Sequence, residues 1–354
     1  LEVHHGTVRR ALGLDGQTST PLLRPSALDP YKALVGRVLE QYPTLTATRV
    51  HEMVKARGYA GSATQVRRYV ATVRPATRAE AFLRRETLPG EEAQVDWGIF
   101  GKIQIGNAKR TLSCFVLVLS HSRAMYAHFA LDQTLESFLR GHVRAFEALG
   151  GVPRAILYDN LKSVVLERDG DAVRFHPRLL EFAGHYHFAP KPCAPYRGNE
   201  KGKVERTIRY LRDSFFAARS YSSLADLNAQ LARWIGQVAH ARRVPGDGSG
   251  RLVAAALEEE RPRLLRLPAH AFETDVVRAV ASGKTPYVRF DLNDYSIPHT
   301  HVLKPLTLIA SESRVRIADG ASELAVHERS YDKGKTIEKP EHLASLAAAK
   351  RSAH

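Results

Sequence analysis

EEAQVDWGIF, residues 91–100, is the stretch on which the reading of this chain turns. Before it, apolar residues recur at helical spacing. From Glu92 onward they come in short β-type runs, Ala93 to Trp97, Lys102 to Ile105, Leu112 to Ser120 and Ala124 to Leu131, with turns short enough to predict an antiparallel meander. The first run carries an acidic residue, Asp96. A helix is expected from Leu135 to Leu149, with Phe138, Leu139, Val143, Phe146 and Leu149 on its apolar side and Gly150-Gly151 as its stop. The buried run Ala155 to Tyr158 then delivers a second acid, Asp159, within ILYDNLKS. A polar loop (ERDGDAV), a helix from Pro177 to Gly184 and a short strand from Tyr186 to Ala189 follow. A third acid, Glu205, lies in APYRGNEKGKVERTIRYL. There Val204, Ile208, Leu211 and Phe215 mark the buried face of a helix, and Glu205 borders it. Glu200, nearer the helix start, needs no role beyond complementing the helix dipole.

Asp96, Asp159 and Glu205 are separated by 63 and 46 residues, room for intervening elements within one domain. Hard divalent cations take oxygen ligands, and a pair of Mg²⁺ ions about 3.5–4 Å apart needs several converging carboxylates. The three acids are therefore the candidate catalytic and metal-ligating residues, for two Mg²⁺ ions or for Mn²⁺ as a substitute. Fifty-two Lys+Arg against 37 Asp+Glu give a net charge of +15 and a pI near 9.9, which points to a polyanionic partner, nucleic acid foremost. Lys162 beyond the second acid, and Arg197, Lys201, Lys203, Arg206 and Arg209 around the third, are candidate DNA contacts. No apolar run reaches the roughly 18 residues of a membrane span, so no membrane partner is expected. Two cysteines, Cys114 and Cys193, fit a reducing cytoplasm rather than a disulfide framework, and His185, His187 and Cys193 lack a fourth zinc ligand.

The first ninety residues carry 14 Lys+Arg against 7 Asp+Glu. Three short helices are expected there: from Asp29-Pro30 to Tyr42, from Thr44 or Thr46 to Gly58, and from Ser62 to Val73. A basic third helix after the small-residue turn GYAGS fits a helix-turn-helix over residues 29–75, with Gln65, Arg67 and Arg68 facing the major groove. Residues 1–12 read as the tail of an earlier such unit, 13–28 as a Gly/Ser/Thr/Pro linker, and the chain is expected to begin inside a longer protein.

After the α/β domain (residues 90–244), which closes with a helix from Ser223 to Ala241, residues 245–284 read as a Gly-rich break and a helix. Close-spaced strands over 285–330 predict a small β-barrel, and 331–354 a basic tail that ends in a short helix able to dock on another subunit.

DWG, YDNLK and KGKVER, in this order behind a helix-turn-helix, resemble the DDE transposases of bacterial insertion sequences, most closely the IstA type. The retroviral-integrase-like core of that family implies a ribonuclease H-like catalytic domain, consistent with a meander followed by a helix and crossover strands. The expected fold class is thus multidomain: a helix-turn-helix region, an α/β ribonuclease H-like domain and a C-terminal β-barrel. By the same resemblance, Asp96, Asp159 and Glu205 are the metal ligands. The implied partners are terminal inverted repeats, target DNA, a homodimer or larger oligomer, and an AAA+ ATPase of the IstB type, in a bacterial, nucleoid-associated setting. The rivals to a transposase are a helix-turn-helix regulator with an inactive scaffold and a nuclease of the same fold that cuts without joining.

Overall fold

A computed structural model describes residues 25–43, 45–74, 87–158, 165–169, 172–193 and 198–352. The chain divides into two compact units, residues 1–84 and 85–354.

In the first unit a 3₁₀ turn at Asp29–Tyr31 leads into α1 (Lys32–Gln41), followed by α2 (Ala47–Lys55) and α3 (Ala63–Val73). Thr46 and Ser62 cap α2 and α3, each hydroxyl accepting the amide three residues on, as their N-cap positions require. Val35, Leu39, Val50, Val54, Tyr59, Val66 and Val70 bury together, which leaves the other faces polar.

The second unit is organised by a five-stranded sheet of order β3-β2-β1-β4-β7. Strands β1 (Glu92–Ile105), β2 (Ala108–Leu119) and β3 (Met125–Ala130) form the antiparallel meander. β4 (Ala155–Tyr158) and β7 (Ala189–Pro192) add in parallel. The two runs expected as separate strands are one β1, irregular between Ile99 and Lys102, because Gly101 takes φ +103° there. Alternation along the strands builds two cores. Ala93, Val95, Trp97, Phe115 and Leu117 face α4 (Leu135–Leu149) and α5 (Pro177–Tyr186); Phe100, Cys114, Val116 and Val118 face α6 (Gly198–Leu211) and α7 (Leu224–Trp234). The helix expected to reach Ala241 widens into a π turn after Trp234, over Ile235–Ala239. The segment expected as a polar loop contains a hairpin, β5 (Val165–Asp169) with β6 (Ala172–Phe175). α5 runs on to Tyr186, where His187 at φ 60° closes it, so the following strand starts later than expected.

α8 (Val253–Glu260) is tied to the sheet through fully buried Glu260. Its Oε1 accepts from Gly90 N at 2.8 Å and its Oε2 from Ser122 N at 3.0 Å. Beyond it, β8 (Val276–Ala281), β11 (Pro305–Ala310), β12 (Arg314–Asp319) and β13 (Ser322–Glu328) form one sheet. β9 (Tyr287–Phe290), β10 (Asn293–Ser296) and β14 (Thr336–Ile337) form another. The two share the core of Val288, Tyr295, Ile297, Leu308 and Ile317. Among the described residues they are separate hydrogen-bonded sheets, so the expected barrel is not a closed one. β8 falls in the stretch expected as a break and a helix; it is mostly exposed, and its sequence, VVRAVA, carries no clean apolar alternation to mark it as a strand.

The tail begins as part of the fold rather than as an extended arm. Asp332 Oδ1 accepts from Asn107 N and Ala108 N at the β1–β2 turn, and Arg110 Nε donates to Tyr331 O. Arg144 of α4 pairs with Glu312 at 2.6 Å, and Arg329 with Asp132 at 3.5 Å, so charged contacts join the C-terminal sheets to the five-stranded sheet and its helices. Helix α9 (Pro340–Ser352) ends the described chain.

Candidate active site

Asp96 lies on the face of β1 that looks toward α6. Side chains alternate along a strand, so Gln94, Asp96, Gly98 and Phe100 share one face while Val95 and Trp97 share the other. Contacts on both sides of Asp96 fix what opposes it. Gln94 Oε1 accepts from Lys203 N and Val204 N, both at 3.2 Å. Two positions beyond Asp96, a Cβ on Gly98 would come within 2.9 Å of Ile208 Cγ2. Asp96 therefore faces the part of α6 between Val204 and Ile208, and Glu205 lies within that part. A Cβ there would also meet Phe100 Cε2 at 2.8 Å, so glycine is what keeps this strand–helix contact uncrowded. Along α6, Val204, Ile208, Leu211 and, just past it, Phe215 are buried, as the periodicity predicts, and Glu205 is exposed beside them. Asp96 is half-buried.

The second acid follows Tyr158, the last residue of β4, whose register partner on β1 is Val95. Asp159 lies outside the described residues, as do Lys162 and Arg197 and the side chain of Lys201. The strand end before Asp159 is held firmly. Cys193 N donates to Tyr158 O at 2.8 Å, and the fully buried Tyr158 hydroxyl lies 3.1 Å from His142 Nε2. His142 Nδ1 is 2.8 Å from Phe138 O, and a carbonyl only accepts. Nδ1 thus carries the proton, and Nε2 accepts from Tyr158. Burial pushes the His142 pKa down to about 4, and it raises Tyr158 well above the usual range for a phenol.

Among the described residues no group of three or more His, Cys, Asp or Glu gathers closely enough to hold a metal. Asp96 and Glu205 are the described members of the expected set. Their chemistry fits hard divalent ions, since both supply carboxylate oxygen and neither brings sulfur or imidazole. His185, weighed for zinc, instead lies 2.9 Å from His270 O.

The basic residues fall into separate groups. Arg206 and Arg209 are exposed on α6, the Arg206 guanidinium bonded back to Gly202 O, and Lys203 is half-buried. In the first unit Arg67 and Arg68 are exposed on α3. Gln65, expected to face a groove, is half-buried with its carboxamide engaged: Oε1 accepts from Tyr59 Oη at 2.8 Å and Nε2 donates to Ser26 Oγ at 2.7 Å. Gln94, His142 and Tyr158 support the candidate acids and were not singled out from the sequence. Only the run of alternating buried residues in β1 hinted at Gln94.

Residues 86–198 match the integrase core domain and residues 267–339 the C-terminal domain of Mu transposase. The first match stops short of Glu205. The chain is 31% identical over 295 residues to the transposase for insertion sequence element IS21 of Pseudomonas aeruginosa, covering 83% of this chain and 75% of that protein. It is 35% identical over 256 residues to a putative transposase for IS5376 of Geobacillus stearothermophilus, covering 69% of this chain and 64% of that one. A looser likeness, at 15% identity and a TM-score of 0.38, is to a chain of the simian T-cell lymphotropic virus intasome in complex with PP2A regulatory subunit B56 gamma. It covers 83% of this chain and all of that one.

Proposed function

Since the chain belongs to the family of insertion-sequence transposases that includes the IS21 enzyme, we propose that it cleaves the 3′ ends of its element and joins them to target DNA at a site built from Asp96, Asp159 and Glu205. The observation that carries this reading is the bracketing of Asp96 by the Gln94 and Gly98 contacts with α6, which sets Glu205 on the helix segment opposite it. The register of Val95 with Tyr158 supports the third member, because β4 ends one residue before Asp159 alongside the same part of β1.

Two Mg²⁺ ions bound by these carboxylates would polarise the scissile phosphodiester and lower the pKa of the attacking hydroxyl. The chain's own contribution is placement. Gln94 fixes the first half of α6, Gly98 lets the helix lie close, and the His142–Tyr158 bond holds the strand that leads to Asp159. Arg206 and Arg209 lie on the solvent side of the same helix and neutralise backbone phosphates. No side chain acts as a nucleophile; the attacking groups are water and then the freed 3′-hydroxyl. The helical unit, through Arg67 and Arg68 on α3, reads the terminal inverted repeats. Pairing two ends requires a dimer or larger assembly, and an IstB-type AAA+ ATPase selects the target.

The test incubates purified protein with labelled terminal-repeat duplex, supercoiled plasmid and Mg²⁺. Joined products support the proposal. Products that are cut but never joined leave a nuclease, and uncleaved but bound DNA leaves a regulator.

A further inference from the structure

Beside the candidate carboxylates, on the opposite flank of α6, lies a small cationic cavity of about 100 Å³ lined by Arg123, Lys203, Arg206, Thr207, Arg242 and Pro245. Four of the six lining residues are basic and none is acidic. On the scale on which a single water needs roughly 10–15 Å³, this volume has room for a tetrahedral anion. The helical period sets its place. Val204 and Ile208 point into the core; at about 100° per residue, Lys203 and Thr207 lie to one side of them, Glu205 and Arg209 to the other, and Arg206 on the outer face between.

The cavity is built rather than accidental. Arg123 enters it from the β2–β3 turn with φ 64°, a left-handed conformation costly for a side chain of this kind, and the turn is pinned by Glu260 through the neighbouring Ser122 amide. Thr207 Oγ1 donates to Lys203 O at 2.9 Å. Arg242 stacks on Tyr210, 4.2 Å from the ring centroid, and its guanidinium is within hydrogen-bond reach of that side chain, while its buried Nε–H has no acceptor among the described residues. Burial lowers the Arg242 pKa, a penalty on the charged form that a bound anion relieves.

We infer that this cavity is a seat for one non-scissile backbone phosphate of the bound DNA strand, with Arg242 as its principal ligand. This deepens the reading of the chain as a DNA-processing enzyme and rests on it. A helix with its side chains is about 10–12 Å across. The seated phosphate therefore lies a few nucleotides from the one at the carboxylates, and the strand crosses α6 between them. Its consequence is alignment: a strand fixed at two points presents a single phosphodiester to Asp96 and Glu205.

The experiment measures binding of the full chain to a fluorescent 30-base-pair duplex by anisotropy, in EDTA so that no chemistry occurs, over a series of salt concentrations. Losing one phosphate contact lowers the slope of log affinity against log salt by about 0.9. Arg242→Gln is expected to show that drop and a roughly tenfold weaker affinity near 150 mM salt, Arg242→Lys to keep the slope, and the exposed Arg206→Gln to lower it likewise. A full slope in Arg242→Gln overturns the phosphate seat, whatever Arg206→Gln shows, while leaving the catalytic reading intact. A parent protein that shows no salt-dependent binding overturns both.

Discussion

Replacing Tyr158 by phenylalanine removes a single oxygen from the interior and leaves His142 Nε2, which is fully buried, without its donor. An unsatisfied buried polar atom costs about 1–3 kcal/mol. His142→Phe makes the reciprocal loss, stranding the Tyr158 hydroxyl at similar cost. The double variant strands neither and packs phenylalanine among Phe115, Phe138 and Phe182, which already surround the imidazole. The two costs should therefore fall short of adding by about 1–2 kcal/mol. The imidazole also has a pH signature. Its pKa is about 4 in the folded protein and about 6.5 in the unfolded chain, so between these values the unfolded state binds more protons. Stability from this group is complete above pH 6.5, falls as the pH drops, and is lost by about pH 4. The gap corresponds to about 3 kcal/mol. Urea unfolding of the parent, the two single variants and the double variant, at pH 7.5 and at steps down to pH 4, tests both parts. Strictly additive costs, or a His142→Phe protein that loses stability over this range as steeply as the parent does, would refute the buried pair.

Other perturbations bear on other parts of the account. Glu260→Ala strands the Gly90 and Ser122 amides at about 1–3 kcal/mol each, so thermal unfolding should shift down by several degrees; a shift below 2 °C would contradict the clamp. In Gly98→Ala the new methyl lies 2.8 Å from Phe100 and 2.9 Å from Ile208 and crowds the strand–helix contact beside Asp96; cleavage should fall by about 100-fold while DNA affinity holds, and unchanged cleavage would remove the close-approach argument. Burial alone raises the Glu312 pKa, but bonds from His128 and Arg144 hold it at about 2. The stability it contributes is thus full above pH 4.5, wanes below, and is gone near pH 2. Glu312→Gln should make the C-terminal sheets more sensitive to limited proteolysis at neutral pH, and an unchanged digestion pattern would discount that tie.

The helices and central strands were legible because their patterns are strong and local. Leu135–Leu149 and Ala155–Tyr158 follow directly from apolar spacing and a closing Gly-Gly. So does the third helix, capped by Ser62. What stayed hidden depends on partners far along the chain. Nothing near Gln94 announces that it accepts amides more than a hundred residues away, and nothing near Asp332 reveals that the β1–β2 turn donates to it. The hairpin over 165–175 was masked by its polar composition, and Gln65 reads as a solvent-facing helix residue until Tyr59 and Ser26 are seen to take up its amide. Glu205 could be preferred over Glu200 because only the former borders the stripe of Val204, Ile208 and Leu211.

The central claim is that Asp96, Asp159 and Glu205 form one site. Asp96→Asn, Asp159→Asn and Glu205→Gln should each bind terminal-repeat DNA as the parent does, lose Mn²⁺ binding measured by calorimetry on that complex, and release no cleaved 3′ end. If any one of the three keeps both metal binding and cleavage at the parent level, that residue is not part of the site and the assembly argued from β1, β4 and α6 fails.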